Sequence, residues 1–203
     1  MLERIMQWIV SVALLLASTM TLAQAAPAQP SDCPTAKSPR GFVVERNEST
    51  KTDVFGAEDG TVHTILRSGG NTLLETTQFQ GLFQLERIEN GRRTIFRPKA
   101  SLASLFPLKP GQKINVQFDV ETGGQSSVRT VDLAVTQADT LLIGPCRYDV
   151  LKVERREAAG SAPLRFIDTD YYAPALRLVI AKEYREAGDR TNLVKFDRIS
   201  PIK

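Results

Sequence analysis

One stretch of the chain decides its fold class: Lys113-Ile114-Asn115-Val116-Gln117-Phe118-Asp119-Val120. Every second residue is apolar and the residues between are polar, which is the period of a β-strand with one buried face. The segment Val131-Asp132-Leu133-Ala134-Val135 repeats the same apolar positions. Turn signals recur roughly every ten residues, and Asn90-Gly91 is the strongest because both residues tolerate positive φ. This spacing is typical of an antiparallel all-β protein.

The turn signals also predict the architecture. Besides Asn90-Gly91, they are Gly69-Gly70-Asn71, Pro110-Gly111, Gly123-Gly124, Ala159-Gly160 and Gly188-Asp189. They predict about nine to eleven strands, most of them joined to their sequence neighbours as a meander. Because a meander must bury one face or close on itself, we expect an open or flattened barrel, with residues 41–203 as a single β domain. Only residues 99–105 favour a helical turn, so we expect little helix.

Residues 1–25 have the features of a secretory signal peptide. Arg4 provides a positive start, residues 9–17 form an apolar run, and Ala23-Gln24-Ala25 offers small residues for cleavage after the last of them. The apolar run is shorter than the roughly 20 residues that span a bilayer, so we expect no membrane span in the mature chain. These features predict a periplasmic or secreted protein, with residues 26–40 as an extended N-terminal segment.

The chain contains two cysteines, Cys33 and Cys146. Because an exported chain enters an oxidising compartment and the cysteines form an even pair, we expect a Cys33–Cys146 disulfide. This bond would hold the N-terminal segment against the strand that begins at Arg147. Two free thiols or an intermolecular bridge are the alternatives. A lipid-modified Cys33 is not expected, because Gln29-Pro30-Ser31-Asp32 lacks the small or apolar residues that precede such a cysteine.

The composition excludes several common catalytic chemistries. His63 is the only histidine, and one histidine with two cysteines cannot form a standard transition-metal site. His63 also lacks the motifs of a triad hydrolase, and it lies in a strand-like segment, residues 61–66, where we expect a half-exposed position. No phosphate-binding glycine loop is present. We therefore expect neither a metal nor another cofactor.

The charged residues are interleaved instead of gathered in blocks. The formal net charge is +3, and residues such as Lys152, Glu154 and Arg156 alternate along a predicted strand. Lys182 and Glu183 form a similar pair on another strand. Interleaved charge indicates solvated faces and protected sheet edges, and not a groove for a polyanion. We therefore expect no nucleic-acid partner.

Asp168 and Asp170 are the pair of carboxylates best placed in the sequence for metal binding or catalysis. They lie two residues apart in Phe166-Ile167-Asp168-Thr169-Asp170-Tyr171-Tyr172, and on a strand both side chains project from one face. Such a pair suits Ca²⁺ binding or acid and base catalysis. The alternative is a solvated outer face near a strand end, because no further oxygen ligands follow at calcium-loop spacing.

Part of the chain resembles a family of exported, β-rich bacterial proteins of unknown function. Tyr171-Tyr172-Ala173-Pro174-Ala175-Leu176 resembles their W-Y-A-P-E-L-G box, although it lacks the tryptophan, the glutamate and the glycine. Residues 105–111 resemble their W-P-L-x-x-G turn, and residues 146–150 stand where they begin a strand. The resemblance covers about residues 80–200 and implies an open or half-closed β-barrel. It implies no catalytic residue, and it suggests corner packing for Tyr171, Tyr172 and Pro174, with ligand or partner contact as the alternative.

Taken together, these features predict a non-enzymatic protein of the cell envelope. We expect a structural or protein-binding β module that recruits a partner through an exposed sheet edge. One alternative is a carrier or sensor that holds an apolar ligand, such as a lipid or acyl chain, in the concave face of the sheet. A second alternative is a carboxylate-dependent cell-wall enzyme that uses Asp168 and Asp170.

Overall fold

The computed structural model describes residues 33–159, 168–185 and 191–202, and they form one antiparallel sheet of thirteen strands. Within them, the only helical element is the 3₁₀ turn Ala103–Leu105, inside the segment expected to make a helical turn. The all-β, nearly helix-free fold is thus as expected. The strands are β1 (Phe42–Glu45), β2 (Thr50–Gly56), β3 (Thr61–Ser68), β4 (Asn71–Phe79), β5 (Phe83–Glu89), β6 (Arg92–Pro98), β7 (Lys113–Thr122), β8 (Gln125–Ile143), β9 (Cys146–Ala159), β10 (Asp168–Ala173), β11 (Leu178–Arg185), β12 (Thr191–Lys195) and β13 (Arg198–Pro201).

The strand order is a meander whose last segment returns to its start. From β1 to β12 every strand pairs with its sequence neighbours, and β13 pairs with β1 at the opposite edge. Only Phe196 and Asp197 separate β12 from β13. The Phe196 N–H donates to the Ile180 carbonyl oxygen of β11, whereas the Asp197 N–H donates to the Glu45 carbonyl oxygen of β1. The C-terminal segment thus joins both edges of an open, barrel-like sheet without closing its hydrogen-bond ladder.

The number of strands exceeds the nine to eleven expected. The additional strands include β1 and β13, which have four residues each and pair with one another across most of the chain. A pairing between remote segments leaves no local turn signal, so the sequence periodicity did not separate these short strands.

The decisive segment forms β7, as expected. Ile114, Val116, Phe118 and Val120 are buried, and the residues between them are exposed. The equivalent positions Val131, Leu133 and Val135 of β8 are buried too.

The glycine turns are also where the sequence predicts them. Asn90 and Gly91 both have positive φ, 50° and 73°, and they connect β5 to β6 with Glu89 opposite Arg92. Gly69-Gly70 and Gly123-Gly124 connect their hairpins in the same way, with positive φ at both residues. Pro110-Gly111 forms a turn before β7, with a φ of 85° at Gly111. The remaining two signals involve Gly160 and Gly188-Asp189, which lie outside the described residues.

The buried side chains form two core clusters. The first core cluster contains residues from β1, β2, β3, β11 and β13 and from the first half of β9. The second core cluster lies under β5 to β8 and the second half of β9. Val150 and Leu151 are both buried, one in each cluster, and so are Tyr171 and Tyr172 of β10. At Tyr171 and Tyr172 a β-bulge shifts the register between β10 and β11.

The N-terminal segment covers the first core cluster. Cys33 forms a disulfide with Cys146, and their Cα atoms are 5.6 Å apart. The Tyr148 hydroxyl, which is buried, donates to the Pro34 carbonyl oxygen at 3.1 Å, and burial raises the pKa of Tyr148 to about 12. The Ala36 N–H donates to the Ala175 carbonyl oxygen. These contacts attach the segment to β9 and to the turn that follows β10.

Cleavage of the disulfide is expected to lower the free energy of unfolding markedly. The two cysteines are 113 residues apart, and in the chain-entropy model a loop of about this length contributes up to roughly 4.7 kcal/mol. A Cys33→Ser, Cys146→Ser double variant should therefore unfold at a much lower urea concentration than the oxidised protein. Two reactive thiols in the unfolded but unreduced protein would contradict the bond.

Two glycine substitutions are expected to differ in cost although both glycines have positive φ. Gly91→Ala should cost about 1–2 kcal/mol, because a Cβ there meets only the unfavourable backbone conformation, with nothing within 4 Å. Gly81→Ala should cost about 1–3 kcal/mol more, because its Cβ would lie 1.8 Å from the Arg177 carbonyl oxygen. Urea unfolding of both variants measures the difference, and equal costs would contradict the close approach of the two backbones.

Candidate functional site

An open cavity of about 420 Å³ lies between β2–β4 on one side and β9–β11 on the other. Four threonines on adjacent strands, Thr50, Thr52, Thr64 and Thr76, line one wall. Thr64 and Thr76 are directly paired across β3 and β4, and their buried hydroxyl oxygens are 2.7 Å apart. The opposite wall is charged. It carries Arg155, Glu157, Asp170 and Lys182, whereas Arg46 lies on the threonine side, in the connection between β1 and β2.

Asp170 is the central charge of this wall, and it has 0% exposure. The Arg155 Nε lies 2.8 Å from its Oδ2 atom, and the Lys182 Nζ lies 2.9 Å from its Oδ1 atom. Oδ1 has no hydrogen-bond partner among the described residues, so Lys182 is its ion-pair partner. Strand register explains the arrangement, because Lys182 on β11 is the direct cross-strand partner of Asp170 on β10.

Arg155 connects three parts of the sheet. Besides Asp170, it donates from Nη1 to Glu157 Oε1 at 3.2 Å and from Nη2 to the Leu82 carbonyl oxygen at 2.8 Å. Burial opposes the charged form of Arg155, but the nearby carboxylates outweigh this effect and raise its pKa. The guanidinium therefore ties β9 to β10 and to the residue that precedes β5.

The carboxylate of Asp170 stays ionised at neutral pH. Burial by itself would raise the pKa of Asp170, because a carboxylate is poorly solvated in the interior. The charges of Arg155 and Lys182 outweigh the burial, so the net pKa lies below its ordinary value. A buried carboxylate that is charged at neutral pH and lies between two cations is the main electrostatic feature of the cavity.

The two aspartates singled out in the sequence have different environments. Asp168 begins β10 and is half-buried, whereas Asp170 is fully buried. The solvated face offered as an alternative is wrong for Asp170, because Arg155 and Lys182 approach it from the two flanking strands. The expected solvated position is also wrong for Lys182, which lines the cavity with its side chain 35% exposed.

The residues of the aromatic–proline box do not converge on one site. Tyr171 packs in the first core cluster and donates from its hydroxyl to Glu183 Oε2 at 2.9 Å. Tyr172 packs in the second core cluster, and burial raises its pKa. Pro174 lies exposed in the turn between β10 and β11. The two tyrosines therefore pack at the border between the clusters, and they present no common surface to a ligand.

The remaining features of the described residues add no chemical centre. His63 on β3 is half-exposed, with Nδ1 3.4 Å from Thr77 Oγ1. A second concave surface, of about 410 Å³, lies on the outer side of β7–β9, between side chains such as Lys113, Asp132 and Arg156. Within residues 33–159, 168–185 and 191–202 no three His, Cys, Asp or Glu side chains are placed to hold a metal, and no helix is long and apolar enough to cross a membrane.

Sequence reasoning missed Arg46, Arg155 and Lys182 as lining residues. A weak signal exists for Arg155, because it continues the buried period of Leu151 and Val153 along β9. No comparable signal exists for Arg46, which lies in the connection between β1 and β2. Its place beside the cavity depends on how the sheet curves.

The chain is thus an all-β protein, an antiparallel meander with a charged, open cavity. No protein-family model matches it, and no curated protein has significant sequence similarity to it. Among solved structures, the hypothetical lipoprotein YmcC from Escherichia coli is similar over 80% of this chain and 87% of its own, with 9% identity and a TM-score of 0.47. A Bacteroides fragilis protein with a YmcC-like fold is similar over 79% of this chain and 92% of its own, with 10% identity and a TM-score of 0.42. The similarity to these two proteins concerns the fold alone and gives no information about a ligand or an activity.

Removal of the Asp170 charge is expected to destabilise the protein strongly. Asp170→Asn leaves Arg155 and Lys182 without their shared carboxylate, and loss of one partner of a buried ion pair costs about 3–5 kcal/mol. Asp168→Asn, on the same strand and only half-buried, is the matched control and should cost far less. Equal urea midpoints for the two variants would contradict the role assigned to Asp170.

The difference in stability between wild type and Asp170→Asn is expected to depend on pH. Because the folded-state pKa of Asp170 is lowered, its stabilisation is complete above the unfolded-state pKa of about 3.9 and is lost as pH falls through the folded-state value. The difference in the free energy of unfolding between wild type and Asp170→Asn, measured by urea unfolding, should therefore become smaller in acid.

Proposed function

We propose that this protein is an exported, non-enzymatic component of the cell envelope that binds a partner polypeptide along the free side of β12. Export is supported by the signal-peptide features of residues 1–25, which lie outside the described residues, and by the Cys33–Cys146 disulfide. Cleavage after Ala25 would remove Trp8, the only tryptophan, so the mature protein should show tyrosine fluorescence alone.

The observation that carries the proposal is the unpaired side of β12. Among the described strands, β12 pairs with β11 and with no other. The Phe196 N–H points toward β11, so by the two-residue period the N–H groups of Thr191, Leu193 and Lys195 point to the opposite side. Leu193 is 45% exposed. An extended segment of a partner can pair with these groups, in the mode of β-strand addition.

A non-enzymatic role is supported by the state of Asp170. A general acid or base works best with a pKa near the operating pH and with access to the substrate proton. The pKa of Asp170 is instead lowered, so the carboxylate is ionised at neutral pH, and both of its oxygens face cations. This environment disfavours the alternative of a carboxylate enzyme that uses Asp168 and Asp170.

The alternative of a carrier for a wholly apolar ligand has less support than partner binding. The cavity is large enough for a small molecule, but its wall includes the charged groups of Arg155, Glu157, Asp170 and Lys182. An apolar ligand would leave cavity-facing polar groups without hydrogen-bond partners, and this costs free energy. The cavity therefore does not argue for a lipid or acyl chain without a polar group.

Leu193→Pro is expected to abolish partner binding while leaving the pairing of β12 with β11 intact. Proline at this position removes an N–H that points away from β11. Leu193→Ala keeps that N–H and serves as the matched control. Native mass spectrometry of protein purified from its own envelope should detect a second polypeptide with wild type and with Leu193→Ala, but not with Leu193→Pro.

Hydrogen exchange on the same samples tests the site itself. Binding should slow exchange of the Leu193 and Lys195 amides. Absence of any second polypeptide, or a partner that binds Leu193→Pro equally well without protecting these amides, would overturn the proposal.

A further inference from the structure

The cavity contains donor groups that the protein itself leaves unused. Every nitrogen of Arg155 contacts a protein oxygen, so this residue is structural. Lys182 has three ammonium hydrogens and only one contact, with Asp170, among the described residues. Arg46 lines the cavity and makes no side-chain hydrogen bond or ion pair within the same residues. The cavity therefore holds two cations with free hydrogen-bonding capacity.

The balance of charge in the lining is positive. Arg46, Arg155 and Lys182 are cationic, whereas Glu157 and Asp170 are the only carboxylates among the described lining residues. Both carboxylates are already paired with Arg155. One positive charge is thus left without a counter-charge, and the unused donors belong to Arg46 and Lys182. A bound anion would supply the missing charge and accept these hydrogen bonds.

The rest of the lining is suited to a carbon skeleton. Leu66, Leu74, Val179 and Phe196 contribute apolar surface beside the threonine wall. The volume of about 420 Å³ falls within the roughly 300–1,000 Å³ that small-molecule sites occupy. An inorganic ion would fill only a small part of this space, and a neutral hydrocarbon would leave the cations unpaired.

We propose that this cavity binds a small organic anion, whose acidic group pairs with Lys182 and Arg46 and whose apolar body packs against Leu66, Leu74 and Val179. The proposal is independent of partner binding at β12, because it concerns the interior of the sheet. Carboxylates and phosphate monoesters with a hydrocarbon body share the required chemistry. Decanoate and decyl phosphate are suitable probes, and 1-decanol is the matched neutral compound.

Titration calorimetry of the mature, oxidised protein tests this proposal. At least one of the two anions should bind with a dissociation constant in the millimolar range or below. 1-Decanol should bind at least about tenfold more weakly, because a hydrogen bond to a charged group contributes about a tenfold change in affinity or more. Added salt should weaken the binding of the anion and leave that of the alcohol unchanged.

Charge-removing variants locate the anion. Arg46→Gln or Lys182→Gln should reduce affinity for the anion about tenfold. Arg46 is exposed and makes no side-chain ion pair within the described residues, so Arg46→Gln keeps the test valid even where Lys182→Gln disturbs Asp170. Arg40→Gln and Lys37→Gln, exposed in the N-terminal segment, are the matched controls and should bind as wild type.

Three results would overturn the proposal. They are the absence of binding by both anions in the millimolar range, equal binding of the alcohol and the anion, and unchanged anion affinity in both cavity variants. Leu193→Pro should bind the anion as wild type does, so a failure at β12 and a failure in the cavity are distinguishable.

Discussion

Asp170 is a carboxylate without solvent contact, and its two cationic partners lie on the strands that flank it. Arg155 also donates a hydrogen bond to the Leu82 carbonyl oxygen. One network of ion pairs and hydrogen bonds therefore joins β9, β10, β11 and the residue before β5. The sheet must curve for these groups to meet, because Leu82 precedes β5 and Arg155 lies on β9, four strands away in the sheet. This network requires a fixed register, since a slip of one residue on β10 would turn Asp170 away from both cations.

Strands β9 and β10 contribute buried residues to both core clusters. Adjacent residues of β9 and β10 are buried in different clusters, and the β10–β11 register shifts at Tyr171 and Tyr172, where the two clusters meet. The disulfide and the Tyr148 hydrogen bond then hold the N-terminal segment over the first core cluster. At the other end of the chain, Phe196 and Asp197 pass the C-terminal segment from β11 to β1. Each terminus therefore completes a part of the sheet that the meander leaves uncovered.

The two proposed binding sites lie close together in the fold. Phe196 lines the cavity and immediately follows β12, whose free side is the proposed partner site. The two sites nevertheless depend on different kinds of interaction. Strand addition at β12 depends on main-chain hydrogen bonds, whereas anion binding in the cavity depends on Lys182 and Arg46. Substitutions that affect one need not affect the other, so the roles are separable by experiment.

The local pattern of the sequence determined the all-β class, the little helix and the glycine hairpins. Alternation places Ile114, Val116, Phe118 and Val120 on one face, and Asn90-Gly91 adopts the positive φ angles that its turn requires. These features depend on neighbouring residues and are therefore readable from a short window. The even pair of cysteines in a chain expected to be exported likewise predicted the Cys33–Cys146 bond.

Only the tertiary structure decided the pairing of β1 with β13, the division of the core and the surroundings of Asp170. The sequence around Asp170 is that of a charged residue near a strand end, and the same letters would suit a solvated face. Its burial depends on Arg155 and Lys182, which are brought to it by strand pairing, and on Leu82, which is brought by the curvature of the whole sheet. A charge is buried or solvated according to which remote groups approach it, and periodicity along one strand holds no information about those groups.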